Sequence, residues 1–233
     1  MTREVGLLTT REHPLLSAIL DELSRHPGLR PLLLFDRRGL TATDIARFAA
    51  RTNGAFPPRA IPADIERIEV PDHNAAELRD VLRERGISTL ANAGTPRRIG
   101  RNLLAAATGG IVNAHPGILP RYRGASSPEW AIYNDDPVGV TAHFMDEGLD
   151  SGPIIATVML DLPRGADYVA MRVAMYRLTA RVLADAILRV VREGLTPDRL
   201  PPQPHAPALR PIPDDRLLVV KERLARGEYR HAR

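Results

Sequence analysis

Residues 87–115, ISTLANAGTPRRIGRNLLAAATGGIVNAH, read as strand, helix, strand. Ile87–Ala93 is a short apolar run. Arg98–Ala107 carries a helical pattern that Gly109-Gly110 ends, and Ile111–Ala114 is apolar again. Working outward, the same alternation fills the first 160 residues. Glu4–Thr10, Leu29–Phe35 and Ile68–Val70 read as strands. Pro14–Arg25, Thr41–Arg51 and Asn74–Arg85 read as helices, with Thr41 a candidate N-cap and Gly86 a stop. Beyond His115, Ser127–Tyr133 reads as a short helix, and Val138–Met145 and Pro153–Leu160 as strands. Asp167–Glu193 is a long helix with Met171, Met175, Leu178 and Val182 on one face.

Strands alternating with helices predict an α/β fold: a Rossmann-like, mostly parallel sheet with helices on both faces. The expected domain division is 1–195 for the catalytic unit and 196–233 for a Pro-rich C-terminal extension. Seven of the 21 prolines fall in that extension. Within it, Leu217–Val220 reads as a strand and Glu222–Arg226 as a helical turn. Such a strand would either cross to a second copy, giving a homodimer, or fold back on its own subunit.

Composition narrows the function. The chain has 233 residues, 44% hydrophobic and 26% charged, as in an ordinary globular protein. No apolar run approaches the roughly 20 residues of a membrane span, and the N-terminus has no signal-peptide pattern. With no Cys, neither disulfides nor thiolate sites can form. A cytoplasmic location and no membrane partner are expected. The formal charge of +4 arises mainly in 196–233, which holds 8 of the 32 basic but only 5 of the 28 acidic residues. With 4% aromatic residues and no stacking platform, no nucleic-acid partner is expected. The first strand runs into Thr9-Thr10-Arg11-Glu12-His13, so the Gly-rich turn that lets backbone approach a pyrophosphate is missing. NAD and ATP are therefore not expected. The histidines have no metal-ligand spacing, and no metal is expected.

Chemistry concentrates in two segments. In Asn113-Ala114-His115-Pro116-Gly117-Ile118-Leu119-Pro120, an apolar strand ends with Asn113 and His115 two apart and so on one face. They sit at the carboxyl end of a strand, where open α/β sheets bind ligands. In the second segment, a strand with Thr141 and His143 on one face enters the loop Asp146-Glu147-Gly148-Leu149-Asp150-Ser151-Gly152. The set is an amide, imidazoles and a carboxylate without an obvious nucleophile. It suits direct transfer between two bound substrates: Asn and protonated His can hold an oxyanion, and His can protonate a leaving nitrogen. Residue types alone reach an α/β enzyme of group transfer and no further.

NAHPGILP, Gly124 and LDSG together resemble the folate-dependent formyltransferases, whose pattern is Asn-x-His-Pro-Ser-Leu-Leu-Pro, then Gly, then Asp-small-Gly. The likeness covers roughly residues 1–195 and is strongest over 88–156. It implies an enzyme that moves a formyl group from N10-formyltetrahydrofolate, its co-substrate, to an amine. It implies a catalytic trio of Asn113, His115 and Asp150. Asn113 and His115 would hold the oxyanion, His115 would return a proton to the folate nitrogen, and Asp150 would act through an ordered water. Thr141 and His143 would surround that water. Thr95, Pro96, Arg97, Ile99, Asp146, Glu147 and Gly148 would wall the folate pocket, with one of Arg97 and Arg98 turned to solvent. Gly117 stands where the family has Ser, which questions the rigidity of that loop.

Within the family, glycinamide ribonucleotide formyltransferases have a Gly-rich phosphate loop that TTREHP lacks. Methionyl-tRNA formyltransferases have a C-terminal barrel too large for a 38-residue tail. Formyltetrahydrofolate hydrolases have an N-terminal regulatory domain. The short sugar N-formyltransferases remain, so the expected acceptor is a nucleotide-linked amino sugar. It would be held by Thr10, Arg11, Tyr122, Arg123 and Gly124, with Trp130 and Tyr133 either nearby or in the core. Hydrolysis of the folate, glycinamide ribonucleotide or methionyl-tRNA formyltransferase-like activity, and a folate-binding protein without catalysis are the alternatives.

Overall fold

A computed structural model describes residues 3–233. Seven strands form one sheet: β1 (Arg3–Thr9), β2 (Leu29–Asp36), β3 (Arg67–Val70), β4 (Leu90–Asn92), β5 (Ile111–His115), β6 (Gly139–Phe144) and β7 (Ile154–Met159). Their order is β3-β2-β1-β4-β5-β6-β7. The first five are parallel, whereas β6 runs antiparallel to β5 and β7 antiparallel to β6. The chain leaves β1 toward β3, then returns to its other side at β4. That reversal opens a crevice beyond the carboxyl ends of β1 and β4, the usual ligand position in such sheets.

The helices are α1 (Leu16–Leu23), α2 (Ala42–Thr52), α3 (Ala76–Arg85), α4 (Arg101–Ala106), α5 (Ser127–Tyr133), α6 (Tyr168–Glu193) and α7 (Asp214–Ala225). Alternation along the strands sends Leu7 and Leu33 to one face, where they meet Ile19 of α1 and Met171 and Met175 of α6. Leu8, Leu32 and Leu34 face the other side, with Leu78 and Leu82 of α3 and Leu103 of α4. The expected Met and Leu stripe on α6 is thus core. Local signals at Thr41 and Gly86 behave as predicted, and Gly194 closes α6 in the same way as Gly86. Thr41 accepts a hydrogen bond from the Asp44 amide, and Gly86 and Gly194 adopt the left-handed conformation.

One expected element is wrong. Leu217–Val220 is not a strand but part of α7, which also absorbs the turn expected at Glu222–Arg226. Val220 and Leu224, one helical turn apart, are buried, while Leu218 and Val219 are exposed. Asp214 and Asp215 in the first turn favour the helix electrostatically. The β-branched run was outweighed by tertiary packing on one face. The tail folds back on its own chain. Leu209 N–H donates to Arg123 O at 2.7 Å, Tyr229 donates to Asp136 O at 2.7 Å, and Arg233 N–H donates to Leu162 O at 2.9 Å. The strand that suggested a crossing to a second copy is therefore absent. Among the described residues no helix is long and apolar enough to cross a membrane.

Candidate active site

Asn113 and His115 end β5 beside the first antiparallel neighbour, so the register sets Asn113 opposite His143 and His115 opposite Thr141. The loop after β6 then carries Asp150 back over both. Asp150 has φ 49°, a left-handed conformation uncommon for a residue with a side chain. Such strain persists where surrounding contacts hold it. Here the Gly124 N–H donates to Asp150 Oδ2 at 3.1 Å, and Gln203 donates to the carbonyls of Asp150 and Gly152. Asp150 Oδ2 lies 3.4 Å from His115 Nδ1, and its Oδ1 lies 3.7 Å from His143 Nε2.

The hydrogen-bond network fixes which way each ring and amide faces. Asn92, at the end of β4, accepts the N–H groups of Gly94 at 3.0 Å and Thr95 at 2.9 Å on its Oδ1. Its amide nitrogen must therefore donate onward, to Asn113 Oδ1 at 3.0 Å. That turns Asn113 Nδ2 toward His143 Nε2, 3.0 Å away, and leaves its second N–H for a ligand oxygen. His143 Nδ1 donates to Phe144 O at 2.8 Å, which leaves Nε2 as the side that accepts from Asn113. His115 Nε2 donates to Tyr122 O at 2.7 Å, with Ser127 Oγ at 3.1 Å, and its Nδ1 faces Asp150.

Burial pushes the His115 pKa below the ordinary imidazole value, although the Asp150 charge and the Tyr122 carbonyl pull the other way. Burial alone would raise the Asp150 pKa. The His143 and His115 imidazoles beside it and the Gly124 amide outweigh it and hold the carboxylate below its ordinary value. A neutral imidazole thus faces an ionised carboxylate at neutral pH.

Thr141 does not touch Asp150. It accepts from Leu119 N–H at 3.1 Å and donates to Gly117 O at 2.8 Å, pinning the loop after β5. Gly117 has no space for a side chain: a Cβ there would lie 2.6 Å from Tyr122 O, 2.7 Å from His115 Nε2 and 2.8 Å from Ser127 Cβ. Ser127 fills the space beside the imidazole. Glycine at 117 is required by close packing, and the loop is held at both ends.

A cleft of about 520 Å³ opens beside Asn113, His143 and Asp150, walled by Thr95, Arg97, Arg98, Ile99, Asp146 and Gly148 among others. Pro96 and Glu147 lie in the same two loops but not on this wall, and the Glu147 carboxylate pairs with Arg101. Arg97 is turned inward, donating to the buried Asp36 carboxylate and lying 2.8 Å from Asp72. Arg98, the more exposed, reaches over to the Glu147 carbonyl. His73 is fully buried and bonds Thr95 Oγ1 at 2.6 Å and Leu34 O at 2.8 Å, so this loop is braced from below.

Of the expected acceptor-side residues, Gly124 contacts Asp150 directly. Arg123 donates to Leu149 O and Ala206 O, closing the loop that holds Asp150. The Tyr122 ring is buried and its hydroxyl donates to Asp136, so only its carbonyl faces the site. Thr10 is fully buried and Arg11 pairs with Glu69 at 2.8 Å, both at the far side of the crevice. The Trp130 ring donates to Arg210 O and stacks edge-on with Tyr133 against the tail. Sequence reading missed Asn92, Ser127 and His73. Asn92 carried the same signal as Asn113, a polar residue ending a central strand. Ser127 and His73 act through contacts no local pattern encodes. Among the described residues no three His, Cys, Asp or Glu side chains group to hold a metal.

The profile of the family described as formyl transferase matches residues 36–187. Methionyl-tRNA formyltransferase of Pelotomaculum thermopropionicum is 30% identical over 159 residues, 68% of this chain and 50% of that protein. Against several other methionyl-tRNA formyltransferases the match spans about a third of their length. Glycinamide ribonucleotide transformylase 1 from Geobacillus kaustophilus is similar in structure, with TM-score 0.56, 29% identity and coverage of 84% of this chain and 99% of that one. A 4-N formyltransferase from Francisella tularensis shares the fold, with TM-score 0.59 at 15% identity, over 95% of this chain and 87% of that one.

Proposed function

This chain belongs to the formyl transferase family, and from that premise we propose that it moves a formyl group from N10-formyltetrahydrofolate to the amine of a small molecule. The observation that carries this is the placing of Asn113 and Asp150 on one wall of the cleft with His115 buried behind Asp150 at 3.4 Å, their orientations dictated by Asn92, Gly124 and Tyr122. The cleft fits a folate. It is about 520 Å³, within the range of small-molecule sites, and pairs apolar Ile99 and Met145 with backbone and polar groups of two loops.

When bound, N10-formyltetrahydrofolate supplies the carbonyl carbon that the amine attacks. Asn113 donates its free N–H to the developing oxygen charge, in a position set before any ligand arrives. Asp150, ionised and beside His115 Nδ1, accepts the proton the amine loses. His115 takes a proton at Nδ1 from that side and gives it up to the departing nitrogen. The Tyr122 carbonyl keeps the other ring nitrogen occupied, which aims Nδ1 at the site. Residues 1–195 supply this machinery, and 196–233 braces it through Gln203 and Leu209.

The acceptor we propose first is a nucleotide-linked amino sugar, because the turn after β1 lacks the glycines that would hold the phosphate of a glycinamide ribonucleotide. The relatives named methionyl-tRNA formyltransferase support a second reading, an amine carried on tRNA. Both are tested in one assay: incubate the protein with 10-formyltetrahydrofolate and either nucleotide-linked amino sugars or methionyl-tRNA. A formyl-sized mass gain on the sugar supports the first reading, and on methionyl-tRNA alone the second.

A further inference from the structure

A second cavity, of about 730 Å³, lies on the other side of the crevice, beyond the ends of β1 and β2. Its wall includes Phe35, Phe48 and Phe56 with Ile45 and Ile61. Phe48 meets Phe56 edge-on at 5.7 Å, and both contact Tyr176 of α6. It is open to solvent along the side where Arg59 stands, and its size falls in the range of about 300–1,000 Å³ that small-molecule sites span. The helix over it, α2, buries only Thr52 fully, so it roofs the cavity rather than filling it.

The cavity joins the reaction centre through a short relay. His13 lines it, and the His13 ring packs against Gly94 so closely that a Cβ there would lie 2.2 Å from His13 Cδ2. Gly94 donates to Asn92, and Asn92 donates to Asn113. Beside this relay His13 Nδ1 and Thr10 Oγ1 are buried without partners among the described residues. Buried polar atoms without a partner are uncommon, and of these His13 lies in the wall of the cavity itself. Burial lowers the His13 pKa to about 4, so it presents a neutral ring at physiological pH. Arg11, Arg59 and Arg67 stand around the cavity, two of them in exposed pairs with Glu69 and Asp21.

We propose that this cavity receives the non-reacting end of the acceptor, and that this end is a flat aromatic group. The inference rests on the transferase reading, since the folate cleft and this cavity are then the two substrate pockets of one reaction. Three phenyl rings in the wall match an aromatic face. The surrounding arginines suit an anionic linker where the acceptor has one. An aromatic group could be the base of a nucleotide or a plain aryl amine, and binding separates the two sources.

Two probes are used with the full chain, thymidine diphosphate and 2-phenylethylamine, titrated without folate by calorimetry or saturation-transfer NMR. Saturable binding of either is expected, and the one that binds names the source. Ser17→Trp, which projects an indole into the cavity from α1, is expected to weaken it by about tenfold or more. Phe48→Ala, which removes a wall ring, gives a second reading of the same loss. Binding of neither probe, or binding unchanged in both variants, overturns the inference. 5-Formyltetrahydrofolate is titrated in parallel and should bind wild type and both variants alike. Its failure with a probe still bound removes the transferase reading but leaves the aromatic cavity. Folate binding with neither probe bound removes the cavity assignment alone.

Discussion

The two sides of the crevice are built in opposite ways. On the β5–β6 side the side chains around Asp150 orient one another: Asn92 is held by two backbone amides, Asn113 by Asn92, His115 by Tyr122 O, and Asp150 by Gly124. On the β1–β2 side the wall is aromatic, roofed by a half-exposed helix, and holds polar atoms with no partner. The difference separates a job that needs fixed dipoles from one that needs shape. Proton movement and charge stabilisation tolerate little misplacement, whereas holding an apolar group needs only a matching surface.

The strongest way to break this comparison is at Asp150. Asp150→Asn keeps the shape and the Gly124 bond but removes the charge facing His115, and formyl transfer should fall by about a thousandfold with folate binding kept. Loss of less than tenfold would show that the carboxylate is only structural. Gly94→Ala attacks the junction between the two sides, because its Cβ would collide with His13 in a residue already at φ 106°. A drop of about ten- to a hundredfold in kcat/KM is expected, measured beside folate affinity. Ser127→Ala removes the hydroxyl at 3.1 Å from His115 while the Tyr122 bond remains, so a loss of only about two- to fivefold is expected.

The last contrast is with acid. His13, His73 and His115 all have pKa values lowered first by burial, His13 to about 4. The unfolded chain takes up protons at these rings near pH 6.5 and the folded one does not. Their contribution to stability is complete above about pH 6.5 and falls away below it, that of His13 being lost as pH falls toward about 4. Urea denaturation between pH 8 and 4.5 should show this fall, and His13→Phe should make it shallower. An unchanged pH dependence in that variant would mean His13 is not buried neutral.

The parallel core, the helix caps and the pairing of Asn113 with His115 on one face were legible because each is written locally. Alternating strands and helices announce the sheet, Thr41 and Gly86 announce their own roles, and Asn113 and His115 share a face by spacing alone. The sequence could not reveal Leu217–Val220 as helix, because the deciding contacts of Val220 and Leu224 are made with distant parts of the chain. Nor could it show that Tyr122 offers its carbonyl rather than its ring, or that Ser127 rather than residue 117 packs beside His115. The aromatic cavity was illegible for the same reason: Phe35, Phe48 and Phe56 come from one strand, one helix and one loop, and no period links them.

The central claim is transfer, and one measurement tests it most directly. Wild type and His115→Ala are incubated with 10-formyltetrahydrofolate and a panel of primary amines that includes nucleotide-linked amino sugars, and amine products are read by mass spectrometry. The account predicts a formyl-sized gain on at least one amine with wild type and none with the variant. Release of tetrahydrofolate at the same rate with and without amines, or equal product from both proteins, would contradict it.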